Sequence, residues 1–400
     1  MNTSGWRHPL GTATRPACAY HSPPPVRILT ASGAAGAKAI LRGGSNFSVG
    51  TEVVSRRAFL ATAGVAVGAA LAPAFAAPAP GPALHAYPDY GWLRGFSMVP
   101  SWGARIEEAW WSYDGRRMRE EAALARTVHA NCIRLWIEYT AWMADPEKVT
   151  ANFLDAVAAI AEAGMKTMPC LFNRWHDDRF DYGGTYLENI LKGWKPHLDY
   201  VRALVTPLAR DERVLIWDLC NEPQAKAAKE MTDAHAMKEH EWLAAIARTV
   251  RECGARQPIT IGTMDGGNIE AFADLCDVLC GHPYAHDRRG LEKLIAGFEA
   301  TRRKFGKPFL VNECIPGSLN DATRAATARF YDELLGAAGF GWMGWALSEG
   351  RAISTRRDRY DGNGINGEGF HPFFTKDGSL RAGLEFLKEK PKRLAPWLNP

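Results

Sequence analysis

From residue 93 onward, short apolar runs alternate with longer stretches whose apolar residues recur every three or four positions. The short runs lack the polar alternation of a half-exposed strand, so they predict strands buried on both faces. They are Leu93–Met98, Asn131–Ile137, Lys166–Phe172, Val214–Leu219, Pro258–Gly262, Asp277–Gly281, Phe309–Asn312 and Gly341–Ala346. The longer stretches predict helices over Arg116–Val128, Pro146–Ala163, Tyr186–Leu208, His235–Cys253, Ile269–Ala273, Leu291–Phe305, Asp321–Ala338 and Ser379–Glu389. Pro146 suits a first helical position and Gly164 a C-terminal stop. Strict alternation of strand and helix over this length predicts an α/β fold, a parallel (β/α)8 TIM barrel. The pattern is weakest at Pro169, inside the third strand, and at the short fifth helix.

A barrel of this kind carries its chemistry on the C-terminal strand tips and the loops that follow them. The fourth run breaks off at Asn221-Glu222-Pro223, and the seventh ends in Glu313. Two carboxyl groups at two strand tips are what retaining glycoside hydrolysis needs: one protonates the leaving oxygen, the other attacks the anomeric carbon. The competing reading of either Glu alone is a solvated residue after a strand. Arg134, Asn221, His282, Tyr284 and Trp345 fall at tips as well, although tip position played no part in choosing the strands. An Arg inside an apolar strand is costly unless paired. Arg134 therefore points at a carboxylate, either Glu313 or, as a salt bridge without catalytic meaning, Glu138 or another acid. His282 and Tyr284 read equally as a structural hydrogen-bonding pair. Trp110, Trp111 and Trp175 lie in the first and third loops, where rings stack on pyranose faces. At least one of them is expected to do so, whereas Trp92, Trp217, Trp242, Trp342 and Trp397 fit core packing or surface cover.

The front of the chain reads differently. Residues 1–51 contain no Asp or Glu, have no periodicity, and predict a disordered leader or a start codon assigned too far upstream. Residues 52–76 carry Arg56-Arg57, then Phe59-Leu60, an Ala-rich run and Ala74-Phe75-Ala76, which predicts a cleaved signal peptide of twin-arginine type. Gly64, Gly68 and Pro73 make the run too weak and short for a membrane anchor. Residues 77–88 form a Pro-rich linker, and 89–400 the catalytic domain. Residues 1–76 hold seven basic residues and one acidic residue, so losing them takes the formal charge from +4 to −2. The basic balance belongs to the leader and gives no support for a nucleic-acid or membrane-surface partner. A secreted or periplasmic monomer is expected.

Seven cysteines follow residue 76, an odd number. Most lie in or beside the apolar runs, where Cys acts as a small hydrophobe; a bridge from Cys253 to Cys276 or Cys280 stays open. No His/Cys/Asp/Glu group has metal-ligand spacing along the sequence, and no Gly-rich phosphate loop follows a strand. The stretch Asp358–Gly364 lacks the closing Glu of a calcium loop. No metal and no cofactor are expected.

Asn221-Glu222-Pro223 on strand four, His282-Pro283-Tyr284 on strand six, Glu313 on strand seven and Trp345 on strand eight together resemble clan A glycoside hydrolases. The nearest resemblance is to family 5, the cellulase and β-mannanase family, over roughly residues 89–390. It implies that Glu222 is the acid/base and Glu313 the nucleophile. It further implies that Asn221 holds the sugar 2-hydroxyl, Arg134 and Tyr284 bond the nucleophile, Trp345 floors the cleaved subsite and His282 lines the site near Glu222. His176 stands three residues past the third tip, where the family often has a His. Asn312-Glu313-Cys314 departs from the usual neighbours of the nucleophile. The implied activity is cofactor-free hydrolysis of β-linked poly- or oligosaccharides. A transglycosylase using the same residues and a non-hydrolytic carbohydrate-binding barrel are the alternatives; two retained glutamates speak against the latter.

Overall fold

A computed structural model of the protein describes residues 87–175, 183–224, 233–264, 266–352 and 369–398. Its strands are β1 (Arg94–Met98), β2 (Cys132–Trp136), β3 (Lys166–Cys170), β4 (Trp217–Asn221), β5 (Ile259–Gly262), β6 (Leu279–Cys280), β7 (Phe309–Cys314) and β8 (Trp342–Gly344). Between and beside them run α1 (Ile106–Trp111), α2 (Gly115–Arg126), α3 (Tyr139–Ala144), α4 (Pro146–Glu162), α5 (Leu187–Leu191), α6 (Lys195–Val205), α7 (Asp233–Glu252), α8 (Gly266–Ala271), α9 (Arg288–Phe305) and α10 (Asp321–Ala337). All strand pairs are parallel, in the order β5-β4-β3-β2-β1-β8-β7-β6. The remaining seam, between β5 and β6, is closed by single bonds: Val278 N to Ile259 O at 3.2 Å, His282 N to Thr263 O at 2.8 Å, and Thr263 Oγ1 to Cys280 O at 2.7 Å. The result is the expected (β/α)8 barrel.

Strand β2 shows why the runs had to be apolar on both faces. Ile133 and Leu135 turn outward into the core shared with the helices, among them Phe153 and Ile160 of α4. Cys132 turns into the lumen and packs with Met168, Ile216, Leu310 and Met343. Arg134, one step higher on the same inward row, is fully buried. The lumen thus has an apolar floor and a charged upper layer. Below the floor, Tyr87, Trp92 and Trp397 stopper the N-terminal end, with Trp92 edge-on to Tyr87 at 5.1 Å and to Trp397 at 5.0 Å.

Pro169 does not break β3, because its missing N–H falls where the ladder to β4 is already irregular. Thr167 N bonds Arg213 O and Leu171 N bonds Asp218 O, so four residues of β3 span five of the neighbouring chain. A strand tolerates Pro at such a place.

Two helix expectations need correction. Tyr186–Leu208 is two helices, α5 and α6, parted at Gly193 (φ 115°), with Pro196 in the first turn of α6. Ser379–Glu389 is not an α-helix: Leu380 bridges antiparallel to Phe374, and only Glu385–Lys388 turns as a 3-10 helix. The buried Arg381 explains this. Its guanidinium reaches Pro372 O, Asp321 and Glu349 and lies 4.1 Å from the Phe370 ring centroid, holding the segment extended. The short α1 and α3 were not foreseen, and α8 starts earlier than expected. All seven described cysteines are free thiols. No described helix is long and apolar enough to cross a membrane. The leader, the signal segment and the Asp358–Gly364 stretch lie outside the described residues.

Candidate active site

Two irregular strands build the site. In a regular strand, residues 218 and 221, or 312 and 313, would face opposite sides. Strand β4 shifts register against β5 between Asp218 and Asn221, and β7 shifts against β8 between Val311 and Cys314. Each shift adds the half-step that turns both members of the pair toward the lumen. Asp218 and Asn221 therefore both bond Arg134, and Glu313 meets Arg134 while Asn312 meets Asp218. Just past β4, Glu222 is held in the left-handed region (φ 49°), its N–H donating to Gly262 O at 2.7 Å. Such a conformation costs a non-glycine residue about 1–3 kcal/mol and persists only where its surroundings enforce it.

Arg134 organises the upper lumen. Its Nε donates to Asp218 Oδ2 at 2.7 Å, Nη1 to Glu313 Oε2 at 2.6 Å and Nη2 to Asn221 Oδ1 at 2.8 Å. Both readings of this residue hold in part: the nucleophile candidate is one partner and another acid is the second. Glu138 is not a partner; it accepts from Tyr139 N, Asn173 N and Thr185 Oγ1. Glycine is needed at Gly262, where a Cβ would stand 2.8 Å from Arg134 Nη2 and 2.9 Å from His282 Nε2.

The other oxygen of Glu313 accepts from Tyr284 OH at 2.8 Å. Burial pushes the Glu313 carboxyl above its ordinary range, while His282, Arg134 and the Tyr284 hydrogen bond pull against that push and Glu222 adds to it. His282 sits between the two glutamates, with Nδ1 2.8 Å from Glu222 Oε1 and 4.0 Å from Glu313 Oε1. Nε2 lies 2.8 Å from Asn312 Oδ1. Asn312 has its Nδ2 committed to Asp218 at 3.0 Å, which leaves Oδ1 toward the ring, so Nε2 donates and Nδ1 is the variable nitrogen. Burial works against an imidazolium here, but Glu313, Cys280 and Glu222 outweigh it and lift His282 to about 10. The bond from Glu222 Oε1 to His282 Nδ1 therefore carries a proton at neutral pH.

Glu222, His282 and Glu313 present ligand atoms within 4.8 Å of one another, a spacing that also suits a metal ion. The chemistry of the donors is otherwise committed: Arg134 pairs Glu313, and His282 keeps a proton on the nitrogen that a metal would need.

The remaining expected residues scatter. Asn221 gives Oδ1 to Arg134 and one Nδ2 hydrogen to Asn173 Oδ1 at 3.0 Å, leaving a second hydrogen for a ligand. Trp345 lies 4.9 Å from Trp136, the two rings tilted at 46°. Trp175 is half-buried, its backbone N–H donating to Asn173 Oδ1. Trp111 is 44% exposed. Trp110 has no free face: it is fully buried, stacked on Tyr113 at 5.9 Å, with Nε1 on Trp136 O. A place in the core replaces the expected sugar contact there. His282 and Tyr284 do not join side chain to side chain; each takes a different glutamate. His176 lies outside the described residues. Asp218, Asn312, Asn173 and Trp136 were missed. For Asp218 a signal existed: a carboxylate within an apolar run asks for a partner as plainly as Arg134 does.

Residues 93–350 match the family model of cellulase, glycosyl hydrolase family 5. The chain belongs to glycosyl hydrolase family 5. Its barrel is the TIM barrel that the strand pattern led us to expect. Among solved structures it is similar to an exo-β-1,4-mannosidase from Opitutaceae bacterium strain TAV5, at 18% identity and TM-score 0.57 over 74% of this chain and 58% of the other. It is also similar to a GH5_18 protein from Streptomyces cattleya in complex with GlcNAc, at 13% identity and TM-score 0.58 over 76% and 82%. A third is the hyperthermostable endo-1,4-β-D-mannanase of Thermotoga petrophila, at 15% identity and TM-score 0.50 over 74% and 98%. At these identities the likeness concerns the fold. The chain spans 58% of the length of the first of these proteins. No curated protein matches it by sequence.

Proposed function

We propose that this family 5 hydrolase cleaves β-linked poly- or oligosaccharides with Glu313 as nucleophile and Glu222 as acid/base, β-mannosides being the substrate class to test first. The carrying observation is the closeness of the two carboxyl groups, with one oxygen of each within 4.8 Å of the other. Retention needs about 5–5.5 Å between them, whereas inversion needs roughly 6.5–9.5 Å to seat a water. Glu313 attacks the anomeric carbon as the glycosidic C–O bond breaks, and the departing oxygen takes the proton of the Glu222–His282 pair. Water then gives its proton back to Glu222, and its oxygen displaces Glu313 from the sugar. Arg134 and Tyr284, both donating to Glu313, hold it as the acceptor the first step requires. The mannoside choice is motivated by the mannosidase and mannanase among the similar structures.

The test is a panel of β-mannan, β-glucan and aryl β-glycosides, with the configuration of the first-formed product read by NMR. Retained product on a mannoside is expected. Inverted product would overturn the assignment of roles, and turnover of glucosides alone would overturn the substrate class. Activity is expected to survive dialysis against a chelator, and a loss restored by calcium or zinc would show that a cation serves the site.

Export belongs to the same reading and rests on Arg56-Arg57 before an apolar run. The exported form is expected to begin near Ala77, and Arg56→Lys with Arg57→Lys to leave the protein in the cytoplasm. N-terminal sequencing decides it, and an exported protein that keeps residues 1–51 would refute it.

A further inference from the structure

The turn that carries Glu222 has two left-handed residues, Glu222 (φ 49°) and Gln224 (φ 55°), on either side of Pro223. Neither is glycine, so the turn needs anchors that outweigh its local preference. Arg174, on the loop after β3, donates its backbone N–H to Asn221 O at 2.9 Å, just before the turn. Its Nε donates to Glu239 Oε1 on α7 at 2.5 Å, and the other oxygen of Glu239 accepts the backbone N–H of Gln224 at 2.9 Å, at the far end of the turn. Arg174 Nη1 is fixed in turn by Thr185 O at 2.8 Å, and Gln224 Nε2 by Ala236 O at 3.0 Å. Glu239 is fully buried and Arg174 nearly so.

We propose that the Arg174–Glu239 ion pair is a positioning device for the acid/base: it clamps both ends of the Asn221–Gln224 turn and so aims the Glu222 carboxyl at the leaving oxygen. This rests on Glu222 being the acid/base. Three features support a role aimed at Glu222 and not at stability alone. A buried ion pair adds little net stability compared with an apolar pair of the same size. Both carboxylate oxygens are spent, one on the pair and one on a backbone N–H within the strained turn. Glu313, on the far side of the site, has no bond to either residue, since its partners are Arg134 and Tyr284.

Damage confined to the aim of Glu222 has a signature that general instability lacks. The first half-reaction, reported by kcat/KM, needs the acid only when the leaving group is poor. Glu239→Gln would be compared with wild type on a phenyl and a 2,4-dinitrophenyl β-glycoside of whichever sugar the enzyme accepts. General acid catalysis is worth ~10²–10⁴-fold, so partial misplacement should lower kcat/KM on the phenyl substrate by roughly 10–100-fold. On the dinitrophenyl substrate it should change by no more than about twofold. Arg174→Met with Glu239→Gln removes both charges, leaves neither buried alone, and should show the same split with a cooperative melt. Equal losses on both substrates, or no loss in a folded variant, would overturn the proposal. Glu222→Gln, run alongside, separates the two levels. If it fails to show the split, the acid/base reading falls; if it shows the split and the Glu239 variants do not, only the clamp falls. Added to Glu222→Gln, Glu239→Gln should cost nothing further on the phenyl substrate, because the two act as one unit.

Discussion

The tips of β4 and β7 present the same residue type from the same kind of strand end, and the surroundings make them opposites. Both strands shift register just below their glutamate, and both glutamates are buried. At β7, Glu313 receives an Arg134 N–H at 2.6 Å and the Tyr284 hydroxyl at 2.8 Å, one on each oxygen. At β4, the partner of Glu222 among the described residues is His282 Nδ1, a nitrogen able to give or take a proton. Fixed donors suit a group that must stay an acceptor, and a proton-sharing partner suits a group that must change state twice per turnover. The proposed division of labour between two equal carboxyl groups follows from their neighbours.

The sharpest way to break this comparison is to remove each carboxylate in turn. Glu313→Gln should lower kcat/KM on every substrate by roughly 10⁴–10⁶-fold, the scale of a lost nucleophile. Glu222→Gln should cost about 10²–10⁴-fold on a phenyl glycoside but little on a dinitrophenyl one. Parallel losses in the two variants across both leaving groups would erase the distinction. A pH profile sharpens it. His282 holds its proton to about 10, so kcat/KM on a poor leaving group should persist through neutral pH and fall as pH rises through about 10. The dinitrophenyl substrate should not show that limb; a shared alkaline limb would place the titrating group outside acid catalysis.

Tyr284→Phe takes one donor from the β7 side and leaves the β4 side intact. A hydrogen bond to a charged group is worth about 1.5–3 kcal/mol. The loss should therefore be roughly 10–100-fold, alike for good and poor leaving groups. A leaving-group-dependent loss would show that Tyr284 serves Glu222 instead.

The contrast between the two tips was only half legible in the sequence. Apolar runs with period-free burial gave the strands, the polar residues where they stopped gave Glu222, Glu313, Asn221, His282 and Tyr284, and an Arg inside a run gave Arg134. Arg134 could be paired with a carboxylate from burial cost alone, though not with two. The residues that differentiate the tips were hidden for a geometric reason. Asn312 and Glu313 are adjacent, so strict alternation allows only one of them to face inward, and the same parity excludes Asp218 beside Asn221. The register shifts that admit both leave no mark in composition or periodicity. Trp110 failed in the other direction: a Trp in a first loop reads as exposed, yet here α1 turns it under the wall against Tyr113. The expected last helix, Ser379–Glu389, failed because helical spacing cannot foretell that Arg381 will be drawn inward by Asp321 and Glu349.

The smallest effect on activity concerns a carboxylate one layer behind the β4 side. Glu138, at the tip of β2, accepts from Asn173 N at 2.9 Å, and Asn173 in turn accepts from Asn221. Burial raises its pKa from 4.5 to about 8, the Thr185 hydroxyl pulling back and Glu107 adding to the rise. The folded state therefore holds a proton more tightly than the unfolded chain does. Its contribution to stability is full below about 4.5 and is lost as pH rises through about 8. Glu138→Gln cannot titrate, so the variant's stability should decline less than that of wild type between these limits. The difference should widen steadily with pH, by up to several kcal/mol over the full interval, since each pH unit between the two limits is worth about 1.4 kcal/mol. Urea denaturation of both proteins at pH 5, 6.5 and 8 measures it. Curves that stay parallel over that range would show Glu138 ionised throughout, its three donors outweighing burial. Activity on both aryl substrates should stay near wild type, since Asn221 keeps its bonds to Arg134 and Asn173 and neither glutamate loses a partner.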